Sequence, residues 1–277
     1  MSTPDSPPTS LQRGLAILRA LAATDGRGAR LTDLATATGL TQATLHRLLR
    51  TLVKEGFAEQ SDNRLYRLNV EFFALAAQAG NPDGLREIVR PSLLRLSSSL
   101  NDTIFLFVRS GYDALCLDRC EGPFPIRSFT NDVGGRVALG VGQAAMVLLA
   151  YLPEAERDEV IRFNVPRLRD LGVYDEVYLR SEIDRVLGQG YCSRETGVIP
   201  GMTGVAVPIF DRNERVVAAI SVGTLIDRLR EDRLPTVVKL LKAEAEAIGR
   251  RISPFDPTLR RPAQALGSAG RVAASGV

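Results

Sequence analysis

Between Thr41 and Phe57 the chain reads TQATLHRLLRTLVKEGF, the stretch whose residue types are best suited to chemistry with a polyanion. Leu45, Leu48, Leu49, Leu52 and Val53 recur at i, i+3, i+4, i+7 and i+8, the spacing of a helix with one apolar stripe. At about 100° per residue, the opposite side carries Ala43, Thr44, Arg47, Arg50, Thr51 and Lys54, with His46 on the flank. Three fixed cations and short hydroxyls share that face, and no acid appears before Glu55. A merely solvated helix face usually mixes signs, so the chemistry on offer is recognition of nucleic acid. Arginine matches guanine edges bidentately, which makes Arg47, with Gln42 and Thr44 near the helix start, the candidates for base edges. His46 and Arg50 are candidates for phosphates. Thr41, placed to cap the helix by accepting from a free backbone N–H, is counted with this set.

The elements around this helix must aim it. Leu31-Thr32-Asp33-Leu34-Ala35 opens a shorter helix with Thr32 as its expected cap, and Gly39 ends it. Helix, short Gly-containing turn and basic helix make a helix-turn-helix, whose second helix lies in the major groove. Leu11, Leu15, Leu18 and Leu21 with Ala22 predict a first helix that completes a three-helix core. After Gly56, Phe57-Ala58-Glu59 starts a strand, Ser61-Asp62-Asn63 is turn chemistry, and Leu65-Tyr66-Arg67-Leu68 returns as its partner. Such a hairpin is a wing, and Arg64 and Arg67 on it are further phosphate or minor-groove candidates. Residues 70–79, VEFFALAAQA, predict an apolar helix that needs a partner surface.

Beyond Gly80-Asn81-Pro82-Asp83-Gly84 the pattern becomes mixed α/β. Residues 85–100 predict a helix interrupted near Pro91, with Leu93, Leu94, Leu96 and Leu100 as its apolar set. Strands are expected at 103–110, 114–120, 124–129, 203–210 and 216–223. Gly134-Gly135 and Gly140 with Gly142 are expected to bracket a loop. Helices are expected at 143–152, 154–163, 175–187 and 234–252. Strands pairing in a central sheet with helices on its faces enclose a core large enough for a small-molecule pocket. The expected division is a disordered arm at 1–9, a winged helix-turn-helix at 10–69, a linker helix at 70–83, an α/β effector-binding domain at 84–255 and a disordered tail at 256–277.

Composition narrows the function. Net charge is only +3, but residues 1–70 hold nine Arg/Lys against six Asp/Glu, and 71–255 hold 23 against 25. The basic excess therefore belongs to the helix-turn-helix, and the remainder has another task. Cys116, Cys120 and Cys192 are too few and too irregular for a disulfide scaffold, and with His46 as the one histidine neither a Cys/His metal site nor a Ser-His-Asp or Cys-His pair is expected. No cofactor is expected. No signal-like N-terminal run or apolar stretch of about 18 residues occurs, so a cytoplasmic protein away from membranes is expected.

Five segments in order resemble the IclR-type bacterial transcriptional regulators: SLQRGLAILRALA (10–22), TLHRLLRTLVKEGF (44–57), RLYRLN (64–69), VGGRVALGVGQAAMVLLAYLP (133–153) and GYCSRETGVIPGMTGVAVPIFDRNERVVAAISVG (190–223). The resemblance implies a winged domain, a linker helix and a C-terminal α/β domain similar to the GAF fold. It also implies homodimers or homotetramers on a near-palindromic operator, and promoter binding tuned by a small metabolite, such as an organic or aromatic acid. By position it nominates Gly135, Val137, Gly140, Glu195, Gly204, Ser221 and Gly223 as the pocket. Glycine and methionine stand at 140 and 146 where the family often has a polar residue and a lysine, so a roomier or drier pocket is expected. Arg127, Arg136 and Arg194 are potential bidentate partners of an acidic ligand. Two other classes compete: an α/β enzyme with a helical appendage, which lacks a catalytic set, and a sensory module that binds protein instead of DNA.

Overall fold

The computed structural model describes residues 8–24, 27–69, 71–72, 84–124, 132–171, 174–194 and 199–252. They fall into two compact units, Met1–Asn81 and Pro82–Val277.

In the first unit, α1 (Ser10–Ala22) begins with a reciprocal cap: the Thr9 hydroxyl accepts from the Gln12 N–H at 3.2 Å, and the Gln12 side chain accepts from the Thr9 N–H at 2.7 Å. Ile17 and Leu21 enter the core, whereas Leu11 and Leu15 are 72% and 43% exposed, which corrects the expected stripe. The helix carries two apolar lines on different sides, Leu11 with Leu15 and Ile17 with Leu21, and periodicity alone could not say which one the neighbours cover. The second helix, α2 (Leu31–Thr38), starts two residues earlier than a Thr32 cap implies, with Arg30 in the cap position. Asp33, not Thr32, serves its first turn, accepting from the Arg30 N–H at 3.2 Å. Gly39, at φ 67°, turns the chain into α3 (Gln42–Lys54), and Thr41 caps that helix by accepting from the Thr44 N–H. Leu45 and Leu49 of α3 pack with Ile17, Leu21, Leu34 and Tyr66. Each such full burial contributes about 1.5–3 kcal/mol. Strands β1 (Ala58–Gln60) and β2 (Tyr66–Leu68) pair antiparallel as the expected hairpin, and Ala29 bridges to Tyr66 behind it. Of the predicted helix at 70–79, Glu71 and Phe72 are helical and the rest lies outside the described residues.

The second unit is built on a six-stranded antiparallel sheet in the order β5-β4-β3-β8-β7-β6. Its long strands are β3 (Thr103–Ser110), β4 (Asp113–Cys120), β7 (Met202–Phe210) and β8 (Val216–Leu225). Two short edge strands complete the sheet: β5 (Arg136–Ala138) lies within the expected loop between Gly135 and Gly140, and β6 (Cys192–Arg194) falls where no element is expected, because each needs a distant partner strand to form. The strand expected at 124–129 lies outside the described residues beyond Phe124.

One face of the sheet is covered by α4 (Leu85–Leu100) and α8 (Leu234–Arg251), through Val89, Leu93, Leu96, Val237 and Leu241. The α4 helix runs unbroken through Pro91, contrary to expectation. Pro91 is exposed, so the carbonyl one turn back that loses its N–H partner faces water. Leu94 of its predicted apolar set is 50% exposed, and Ile88 and Val89 are buried instead. The opposite face is covered by α5 (Gln143–Ala150), α6 (Glu154–Leu168) and α7 (Glu176–Gln189). Every residue of α5 from Ala144 to Ala150 is buried. One buried carboxylate pins the sheet end near Gly223. Asp102 accepts from Thr224 and Arg228, each at 2.9 Å, and from Arg233 at 2.7 Å, joining β3, β8 and the start of α8. A carboxylate 1% exposed is tolerable only with such partners.

Candidate functional site

Helix α3 presents Gln42, Ala43, His46, Arg47, Arg50, Thr51 and Lys54 to solvent on one side, with Thr44 half-buried among them. The periodicity that buries Leu45 and Leu49 is what turns these residues outward. Arg47, Arg50 and Arg64 have no ion-pair partner among the described residues, so their charge is available to an incoming polyanion. Thr41 and Thr44 are engaged with each other, hydroxyl to hydroxyl at 3.0 Å, which holds the first turn of α3. Arg64 sits at the hairpin tip with φ 59°, a left-handed position. Arg67 differs: it pairs with Glu59 directly across the hairpin, so its charge is already matched. That neighbour was not weighed from the sequence, although a hairpin with Glu59 opposite Arg67 follows from its register.

In the second unit, antiparallel register places the other set. Arg194, Gly204, Gly223 and Thr103 form one row across β6, β7, β8 and β3, and Cys192, Ala206, Ser221 and Phe105 form the next. Directly paired residues share a face, and Phe105, Ala206 and Cys192 pack on the α5 side, so Gly204, Ser221 and Gly223 belong there too. Of the remaining nominees, Gly135 and Val137 are not brought to this spot. Val137 is in β5, paired to Ala114 of β4, and Gly135 hydrogen-bonds beside it to Cys116. Four strand spacings separate β5 from β7, roughly 19 Å along the sheet. Gly140, at φ 102°, is covered by α7, where an added Cβ would lie 2.8 Å from Leu179. Arg136 is exposed on β5 and donates to Ser110 at 2.8 Å. Glu195 and Arg127 lie outside the described residues.

The expected roominess is corrected by the same geometry. A Cβ on Gly204 would fall 2.4 Å from the Val222 carbonyl oxygen, and one on Gly223 would fall 2.9 Å from the Phe105 ring. These glycines permit close approach of strand and ring, and do not open a void. The residue that sequence reasoning missed is Gln143, whose Oε1 lies 3.4 Å from that Gly204 position. Its signal was present: it is the one polar residue in QAAMVLLA. On β4, three strands from β7, burial pushes the Cys116 thiol up to about 12, which makes it inert at neutral pH.

A three-helix unit with a hairpin wing and an acid-free basic helix, followed by a sheet layered between helices, defines a winged helix-turn-helix regulator with an α/β sensory unit. Residues 10–62 match the IclR helix-turn-helix domain, and residues 79–250 match the family described as bacterial transcriptional regulator IclR, C-terminal. The chain belongs to the IclR family of DNA-binding transcriptional regulators. It is 30% identical to the HTH-type transcriptional regulator BhcR of Paracoccus denitrificans, over 81% of this chain and 80% of that protein. It is 27% identical to the HTH-type transcriptional regulator KipR of Bacillus subtilis, over 80% and 89%. Its fold is similar to the crystal structure of an IclR homolog from Microbacterium hydrocarbonoxydans complexed with 4-hydroxybenzoate, at TM-score 0.74 and 23% identity, covering 88% of this chain and 98% of that one. No helix among the described residues is long and apolar enough to cross a membrane.

Proposed function

We propose that α3 reads base edges of a near-palindromic operator through Gln42, Thr44 and Arg47, while Thr41, His46, Arg50 and Arg64 hold the backbone and Arg67 contributes once drawn from Glu59. The carrying observation is the α3 face itself: exposed, cationic, without an acid and without internal ion pairs at Arg47 and Arg50. On this reading residues 10–69 form the DNA-binding unit, 70–83 the linker helix and 84–255 the effector unit. The protein works in the cytoplasm as a homodimer or homotetramer, and its role is binding, not catalysis.

The effector is a small organic or aromatic acid, bound where Gly204, Ser221 and Gly223 meet on the α5 side of the sheet. The 4-hydroxybenzoate held by the Microbacterium relative supports an anionic ligand. The test is selection of tight-binding duplexes from a random library with the full-length protein, followed by affinity measurements over a salt series. A selected, two-fold-symmetric site bound far more tightly than random duplex is expected. Equal affinity for all sequences, or binding insensitive to salt, removes the reading.

A further inference from the structure

We propose that residues 254–257, Pro-Phe-Asp-Pro, dock onto their own unit just beyond α8, with Phe255 filling an apolar cavity and Asp256 meeting its cationic rim. The cavity has a volume of about 400 Å³ and lies between the far end of β7 and the last two turns of α8. Its lining is mainly apolar, with Tyr151, Val207, Pro208, Phe210, Ala245 and Gly249. Tyr151 and Phe210 meet edge to face there, ring centroids 5.1 Å apart, an arrangement that a third ring can join. Strand β6 pairs only with Gly204, Val205 and Ala206, so β7 runs past the cavity with no strand on that side among the described residues.

The occupant follows from where the chain leaves its last helix. Ala245, Gly249 and Ile252 fall at i, i+4 and i+7, so the chain leaves α8 on the side of the cavity. Arg212, on the rim, donates to the Arg250 carbonyl from Nε at 3.2 Å and from Nη2 at 2.7 Å, which holds the exit beside it. Phe255 comes three residues after Ile252, within about 10 Å of extended chain. The prolines at 254 and 257 restrict the residues around it, so less freedom is lost on docking. Charge points the same way. The buried Asp211 is held by its own turn and by Arg215 at 3.6 Å, and Glu246 is paired with Arg250 at 3.4 Å. Arg212 and Lys242 are exposed on the rim, meet only carbonyl oxygens, and have no ion-pair partner among the described residues. Asp256 brings them a carboxylate.

The chain has no tryptophan, so Phe255→Trp in the full-length protein places a single reporter at the proposed contact. Its emission should lie to the blue of free tryptophan, and acrylamide should quench it several-fold less. Adding Asp256→Lys sets like charges against the rim and should raise the quenching toward the free value. Phe255→Ala leaves the cavity empty, and it should melt about 2–4 °C or more below wild type. A Phe255→Ala protein that melts with wild type, or an indole quenched like free tryptophan, overturns the proposal and leaves the cavity to another occupant, such as a small metabolite. So does shielding that is lost on dilution in step with the mass seen in sedimentation, because the segment would then sit on a second copy.

Discussion

Arg47 and Arg67 are exposed arginines of the same small unit, and their neighbours give them different work. Arg47 stands without an ion-pair partner among the described residues, one turn into α3, whereas Arg67 is matched by Glu59. Arg47→Ala should therefore cost about 1–3 kcal/mol on the operator and relax preference at one base position. Anisotropy titrations on singly substituted operators test this, and unchanged affinity would refute the groove assignment. Glu59→Gln should act in the opposite direction, releasing Arg67 to a phosphate. DNA of every sequence should bind more tightly, with a steeper salt dependence. A third residue-scale effect concerns Cys116, raised by burial from 9.0 to about 12. In that interval the unfolded chain has lost the thiol proton and the folded chain keeps it. The stabilisation is thus complete below about 9 and declines as pH rises, by roughly 1.4 kcal/mol per unit. Urea unfolding of Cys116→Ala should show a shallower loss between pH 9 and 11 than wild type.

Glycines within regular elements show how tightly the second unit is assembled. Gly249 lies in α8, and an added Cβ would meet the Phe210 carbonyl oxygen at 2.3 Å. In an isolated helix, alanine is favoured over glycine by about 1 kcal/mol. Here the order should reverse, with Gly249→Ala destabilising by about 1–3 kcal/mol as α8 is pushed off β7. Equilibrium denaturation of the variant measures this, and a more stable Gly249→Ala protein would mean the helix moves freely over the strand. Gly204 obeys the same logic, so a bulky residue there would break the β7–β8 pairing before it filled any pocket.

At the level of the whole molecule, a single helix-turn-helix unit offers few contacts, and two copies related by a two-fold axis double them. Leu11 and Leu15 lie one turn apart on α1, 72% and 43% exposed, on the side away from the unit's own core. In the homodimer proposed above, a second copy would cover them. Replacing both with serine should lower the mass seen in sedimentation and weaken operator binding together, and retention of the wild-type mass would move the interface elsewhere. Ligand control then requires the acid to favour one arrangement of the paired heads, with a coupling of about 1–3 kcal/mol typical of such systems.

Local rules were written plainly in this chain. The 3.6-residue period of α3, the Thr41 cap, the Gly39 turn and the hairpin around Ser61-Asp62-Asn63 depend only on neighbours a few residues away, and so does the acid-free face that marks DNA binding. The four long strands were legible for the same reason, as apolar runs bounded by turns. What tertiary structure alone decided are matters of partner choice. Which of the two apolar lines of α1 is buried depends on α2 and α3 closing over Ile17 and Leu21. Whether residues 136–138 and 192–194 are strand or loop depends on edges supplied by β4 and β7. Gly135 and Val137 were separated from Gly204 and Ser221 by sheet order, a property that no window of sequence contains. Gln143 reads as the polar start of a buried helix, and only the fold laid its amide over Gly204 with no partner for its nitrogen among the described residues.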